Sequence, residues 1–120
     1  LNLAMNYGGR AEILRATKAI VKAFSEETIS MEDIDESLFS KYLYTHDQQD
    51  PDLIIRTAGE KRLSNFLLWQ SAYSELYFVE KSWPDFTRTD LIDALDYFKL
   101  RKRKYGSLEI GHNSVGNRVV

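Results

Sequence analysis

The chain has 120 residues, enough for one small domain with its own core. Hydrophobic residues make up 43% and charged residues 28%, and the net charge of −2 gives no ground for nucleic acid or an anionic membrane as a partner. The absence of cysteine excludes disulfides and thiolate metal sites and fits a reducing, cytoplasmic setting, and no apolar run reaches the ~18 residues of a bilayer span.

Leu1–Tyr7 is apolar enough for an inner strand, and it ends at Gly8-Gly9, a turn signal. A strand with no leader or turn before it, in a chain starting with leucine, is expected of a piece cut from a longer protein. Ile13, Leu14, Ile20, Val21 and Phe24 recur at helical spacing and predict a helix over Ala11–Glu26. Ser30 and Asp33 have the spacing of a capping box. Ile34, Leu38, Tyr42 and Leu43 supply the apolar stripe of a second helix. The polar run His46–Pro51 reads as a loop.

Asp52–Thr57 is a short apolar run bounded by turn residues, the pattern of a buried parallel strand. Ala58–Asn65 is polar, with Gly59 at the strand exit, and Phe66–Tyr73 has the length of a short helix. Glu75–Val79 predicts another strand and Trp83–Phe86 a turn. The last helix starts near Thr87, with Asp90 completing a partial capping box. Leu91, Ile92, Leu95 and Phe98 form its inner face. Lys99–Lys104 ends it, since positive charge suits a helix carboxyl terminus, and Gly106 stops it. Ser107–Val120 has no period and reads as an extension, disordered or vector-derived. Strands alternating with helices give an α/β class with a mainly parallel sheet flanked by helices.

The chemistry concentrates between Asp52 and Phe86. The predicted strand delivers Arg56 to its carboxyl end, where ligands of open α/β sheets sit. Arg62 and Ser64 follow on one short loop. Two guanidinium forks and a hydroxyl suit a diphosphate. A helix starting near Leu63–Asn65 would add backbone donors. Glu60 and Glu75 are the nearby carboxylates, and Mg²⁺ on a diphosphate is commonly held through one or two such groups. Taken singly, an arginine at a strand end is more often a surface ion pair, and a lone glutamate is most often simply solvated. Trp69, Trp83 and the tyrosines read as core.

The string Asp52–Gln70 resembles the signature of cis-prenyltransferases, most of all the bacterial undecaprenyl diphosphate synthases. Tyr73–Phe78 with Trp83–Phe86, and Asn6–Arg10 with Glu12-Ile13, resemble two further family segments, and Arg101–Gly106 the family's ending. The resemblance covers residues 1–106, read as the carboxyl-terminal half of the catalytic domain, with 107–120 beyond it. It implies condensation of isopentenyl diphosphate with an allylic diphosphate such as farnesyl diphosphate, with Mg²⁺. By similarity Arg56, Arg62 and Ser64 hold the diphosphate of isopentenyl diphosphate, and Leu63 contributes through its backbone. Glu60, the residue assigned to catalysis, orients the loop, and Glu75 is a Mg²⁺ ligand. A homodimer is implied, with a lipid product that brings it near a membrane.

Two departures stand out. Lys61 occupies a position where some bacterial members have histidine, and Ala58 one where serine or glycine is common. The family's aspartate-bearing segment for the allylic diphosphate has no match here, so the chain alone is expected to show no turnover. The rival reading is a non-catalytic subunit of a heteromeric cis-prenyltransferase; the intact Arg56, Glu60, Arg62, Ser64 and Glu75 count against it. An all-helical trans-prenyl synthase and a P-loop enzyme both lack their motifs.

Overall fold

The computed structural model describes residues 1–101. The expected basic helix ending beyond Arg101, the stop at Gly106 and the extension 107–120 lie outside them. Helix α1 spans Gly9–Ser25 and helix α2 Glu36–Lys41. Strands β1 (Leu53–Arg56) and β2 (Glu75–Phe78) follow, then a 3-10 turn over Trp83–Asp85 and helix α3 (Arg88–Leu100). The two strands pair in parallel, Leu53 facing Glu75 and Arg56 facing Phe78. This is the expected α/β arrangement.

Helix α1 has no capping side chain of its own, because Gly8 stands at the cap. Asn65 supplies the cap from far along the chain: the Gly9 amide donates to its carbonyl at 2.7 Å and the Arg10 amide to its Oδ1 at 2.8 Å. Gly9 permits that approach, since a Cβ there would stand 2.9 Å from Leu68 Cγ and 3.1 Å from the Asn65 carbonyl oxygen. The buried stripe of α1 runs Gly9, Glu12, Ala16, Ile20. It shares only Ile20 with the expected stripe: Leu14, Val21 and Phe24 are exposed, and Ile13 is half-buried.

Ser30 and Asp33 do pair, but not as a capping box: the Ser30 amide donates to Asp33 Oδ2 at 2.7 Å, while the Asp33 amide donates to the Ser30 carbonyl at 3.3 Å. The pairing closes a turn rather than a helix. Helix α2 is capped by Asp35, whose Oδ1 accepts from the Leu38 amide at 2.7 Å. Helix α3 has a full capping box: Thr87 Oγ1 accepts from the Asp90 amide at 3.4 Å, and Asp90 Oδ2 accepts from the Thr87 amide at 2.7 Å. Its buried residue is Ala94, whereas Leu91, Ile92 and Leu95 are exposed and Phe98 is half-buried.

Two expected elements are absent. Leu1–Tyr7 is not a strand: among the described residues no strand edge pairs with it, and Leu1, Leu3 and Met5 are exposed. Phe66–Tyr73 is a series of turns, because Ser64, Asn65 and Leu67 take positive φ of 48°, 67° and 44°, which no right-handed helix accommodates. Among the described residues no helix is long and apolar enough to cross a membrane.

Candidate functional site

The pleat of the sheet sorts the candidate residues. Successive side chains of a strand point to opposite faces. Ile54 and Arg56 of β1 therefore share a face with Leu76 and Phe78 of β2. All four line a cleft of about 230 Å³, together with Arg62, Leu63 and Phe66. One concavity thus joins two guanidiniums to an apolar surface.

A tight turn brings the second guanidinium back. Ala58 and Gly59 both take φ of 65°. The Ala58 amide donates to the Lys81 carbonyl at 2.7 Å and the Gly59 amide to the Val79 carbonyl at 2.9 Å, so the turn is tied to the exit of β2. The chain then folds Glu60 between the arginines. Arg56 Nη2 donates to Glu60 Oε2, and Arg62 Nη2 stands 2.8 Å from Glu60 Oε1. Arg56 Nη1 also donates to the carbonyl of Arg62. Two fixed positive charges face one carboxylate, so the cluster carries one excess positive charge and open donors on Arg62, whose side chain is 63% exposed.

Leu63 is half-buried in the cleft wall, and Ser64 is exposed beside it in a left-handed conformation. A non-glycine residue in that region costs about 1–2 kcal/mol, less for asparagine. Ser64, Asn65 and Leu67 together store appreciable strain directly after Arg62. No helix begins at Leu63–Asn65, so the extra backbone donors expected of a helix amino terminus are not supplied in that form. Lys61 is exposed.

Glu75 is not brought into this cluster. It shares with Tyr77 the face opposite Arg56, at the amino end of β2, three residues before the one that faces Arg56. There Arg101 Nε donates to its Oε2 at 3.2 Å, Tyr77 packs tilted against Tyr97 with centroids 5.0 Å apart, and the Arg101 guanidinium lies 5.5 Å over Tyr97. Among the described residues no group of three His, Cys, Asp or Glu side chains is placed to hold a metal. Glu75 contributes one hard oxygen donor, 21% exposed, which suits a Mg²⁺ taking its other ligands from phosphate oxygens and water.

Sequence reasoning gave no role to a buried polar hub beside the site. The Glu12 side chain is 1% exposed and accepts from Tyr7 Oη at 2.5 Å, from the Tyr44 amide at 2.7 Å and from Gln70 Nε2 at 3.2 Å. Burial, and then the Glu12 carboxylate to which it donates, push the Tyr7 phenol well above its ordinary range. A carboxylate one helical turn before Ala16 and two before Ile20 is the signal available. Of the residues read as core, Trp69 is half-buried against Phe39, with centroids 4.4 Å apart, but Trp83 is 73% exposed and stacks on Phe86.

Comparison with known proteins gives the chain's family. Residues 1–106 match the family model described as "Putative undecaprenyl diphosphate synthase". An isoprenyl transferase of Bacillus subtilis is 53% identical over 108 residues, covering 90% of this chain and 42% of its own length. One from Thermotoga maritima is 55% identical, over 90% of this chain and 46% of its own. Lavandulyl diphosphate synthase from Lavandula x intermedia, solved with dimethylallyl diphosphate, superposes with a TM-score of 0.84 at 44% identity, over 88% of this chain and 45% of its own. The chain spans less than half the length of each of these relatives. Matched over residues 1–106, the chain belongs to the prenyltransferase family of undecaprenyl diphosphate synthases.

Proposed function

We propose that this chain forms the isopentenyl diphosphate side of a cis-prenyltransferase that lengthens an allylic diphosphate, with the allylic side supplied by sequence outside these 120 residues. The observation that carries the reading is the cleft shared by Arg56, Arg62 and apolar side chains of both strands. Isopentenyl diphosphate has the matching build, a multiply charged head on a five-carbon apolar tail.

Arg62 is the mobile hand of the site. Its pair with Glu60 is solvent-exposed and weak, so its fork can turn onto a phosphate oxygen at little cost. Arg56 is better shielded and held through both of its terminal nitrogens. Glu60 keeps it aimed while Arg62 moves. Ser64 adds a hydroxyl donor and Leu63 a backbone amide. The apolar wall then lays the five-carbon tail in the cleft, fixing which end of its double bond meets the allylic partner.

In the reaction the π electrons of isopentenyl diphosphate form a bond to C1 of the allylic substrate. The C1–oxygen bond breaks with its electron pair on the departing diphosphate. A proton leaves C2 of the isopentenyl unit for water, and its C–H electrons become the new double bond. Glu75 is the residue of this chain that would hold Mg²⁺, which when bound neutralises charge on a diphosphate. A homodimer belongs to the same reading; the exposed Leu14, Val21, Phe24, Leu91 and Leu95 are apolar surface that a further chain segment or a second copy would cover.

The test is chain growth by the full-length protein from labelled isopentenyl diphosphate and farnesyl diphosphate. Growth is expected with Mg²⁺, is lost on chelation, and collapses in Glu75→Ala. A folded protein that extends no primer among several allylic diphosphates would sink the catalytic reading.

A further inference from the structure

Two cationic side chains and an imidazole, drawn from three parts of the chain, meet in a hollow that shares no residue with the diphosphate cleft. Arg15 of α1, Lys41 at the end of α2 and His46 of the loop beyond it line a space of about 310 Å³, with Tyr42, Leu43 and Tyr44. No carboxylate lines it. That is a departure in a chain with 18 acidic residues against 16 basic ones. Elsewhere Lys22, Arg56, Arg62, Lys81, Lys99 and Arg101 each pair with a carboxylate. Among the described residues Arg15, Lys41 and His46 make no such pair.

Arg15 is oriented without being neutralised. Its Nη2 donates to the Tyr42 carbonyl at 2.5 Å, and its guanidinium lies 4.1 Å from the centre of the Tyr44 ring. Neither partner carries a counter-charge, and the Tyr42 bond uses one of five N–H donors. A planar fork fixed in this way loses little freedom on taking a phosphate oxygen. Lys41 brings an ammonium with three donors, and the His46 imidazole offers an N–H in either ionisation state. These contacts give Arg15 a structural reason to be there, tying α1 to the segment after α2. They give none for Lys41 and His46. Positive groups gathered with no carboxylate among them repel one another, and a hollow lined by one sign of charge draws in counter-ions.

We propose that this hollow is an anion site separate from the catalytic cleft, taking the phosphate group of a ligand such as free diphosphate. A phosphate has oxygens enough to accept from the guanidinium, the ammonium and the imidazole together. The site does not depend on the catalytic reading, which stands or falls on chain growth.

Calorimetry on the full-length protein tests this with inorganic diphosphate as the probe, without metal, after isopentenyl diphosphate and farnesyl thiodiphosphate have filled the substrate cleft. One further equivalent per chain is expected to bind, with Kd below about 1 mM. Lys41→Glu and Arg15→Gln should each weaken that equivalent by roughly tenfold or more, the size of one charge-assisted hydrogen bond. Arg15→Gln also gives up the contacts to Tyr42 and Tyr44. Should it fail to fold, Lys41→Glu and His46→Gln decide, since among the described residues neither side chain has a polar partner to lose. If the cleft does not take the two blocking ligands, more than one equivalent appears, and the one that depends on Lys41 is still counted. Sedimentation with vesicles of phosphatidylglycerol in phosphatidylcholine reads the other source of a phosphate: retention of the parent but not of Lys41→Glu assigns the group to a lipid headgroup. Binding that the variants leave unchanged overturns the proposal, and so does the absence of both the added equivalent and the Lys41-dependent retention.

Discussion

Arg56 and Arg62 share one carboxylate but differ in setting, and the difference predicts unequal effects on stability when either is removed. Arg62 is 63% exposed and its partner Glu60 39%, with a 2.8 Å contact. An exposed pair of this kind contributes at most about 1 kcal/mol to stability. Arg62→Ala should therefore leave the thermal midpoint within ~3 °C of the parent, on the usual few degrees per kcal/mol. Its loss from a diphosphate is another matter. One charge-assisted hydrogen bond in a cleft is worth about 1.5–3 kcal/mol, a rise of roughly 10- to 150-fold in KM for isopentenyl diphosphate. Arg56 is 25% exposed and bonds both Glu60 and the Arg62 carbonyl. Arg56→Ala removes both links and the packing of its aliphatic stem, which together cost about 2–3 kcal/mol, so it should lower the midpoint clearly as well as raise KM. The assay is a pair of measurements on each variant, KM for isopentenyl diphosphate and a thermal melt. If Arg62→Ala moves KM by less than threefold, or melts as low as Arg56→Ala, the division of labour drawn here is wrong.

Three further outcomes are expected. Ala58 is exposed at φ 65°, so Ala58→Gly should stabilise by about 0.5–1 kcal/mol, the relief of left-handed strain less the added freedom of the unfolded chain; an unchanged or lower urea midpoint would count against it. Asp90 is held at about 2 by its hydrogen bonds from Lys81, first, and then from Thr87. Because the folded value lies below the unfolded one, its contribution is complete above about pH 4 and is lost as pH falls through about 2. Asp90→Asn should flatten the stability profile over that window in acid titrations followed by circular dichroism, and an unaltered slope would rule the assignment out. Finally, Glu75 faces away from the arginine cluster, so Glu75→Ala should leave metal-free binding of isopentenyl diphosphate unchanged by calorimetry while abolishing metal-dependent growth; weaker metal-free binding would contradict the two-face arrangement.

Regular elements were legible where a local signal sufficed. Apolar recurrence located α1 within two residues at its start and one at its end, and the strands at 53–56 and 75–78 follow from apolar runs bounded by turn residues. What failed depends on partners distant in sequence. Leu1–Tyr7 has the composition of a strand, but a strand exists only as part of a ladder, and among the described residues no ladder reaches it. Phe66–Tyr73 has helical length and composition, yet left-handed backbone at Ser64, Asn65 and Leu67 starts the segment in the wrong hand. The stripe on α1 was displaced because helix periodicity cannot tell which apolar face finds a neighbour. Leu14 and Val21 lie off the face that meets Leu68 and the Glu12 hub.

The candidate site divides along the same line. Arg56, Glu60 and Arg62 lie within seven residues, so a strand exit and one tight turn suffice to bring them together, and the sequence alone indicates as much. Glu75 stands in the same motif region, but its face depends on parity: with Leu53 opposite Glu75, any residue aligned with 53 or 55 points away from Arg56, and a slip of one would reverse it. Register is set by side chains packed above and below the sheet, such as Tyr77 against Tyr97, and linear spacing does not report it. The Glu12–Gln70 contact is further still from local reading, joining residues 58 apart. Yet the signature Asp52–Gln70 and the separate segment Asn6–Arg10 with Glu12-Ile13 are tied by Asn65 as well as by that contact. The diphosphate loop owes its shape to a helix that begins more than fifty residues earlier. Motifs that look independent along the chain therefore act as one cradle, and a substitution in the first turn of α1 should be felt at Arg62.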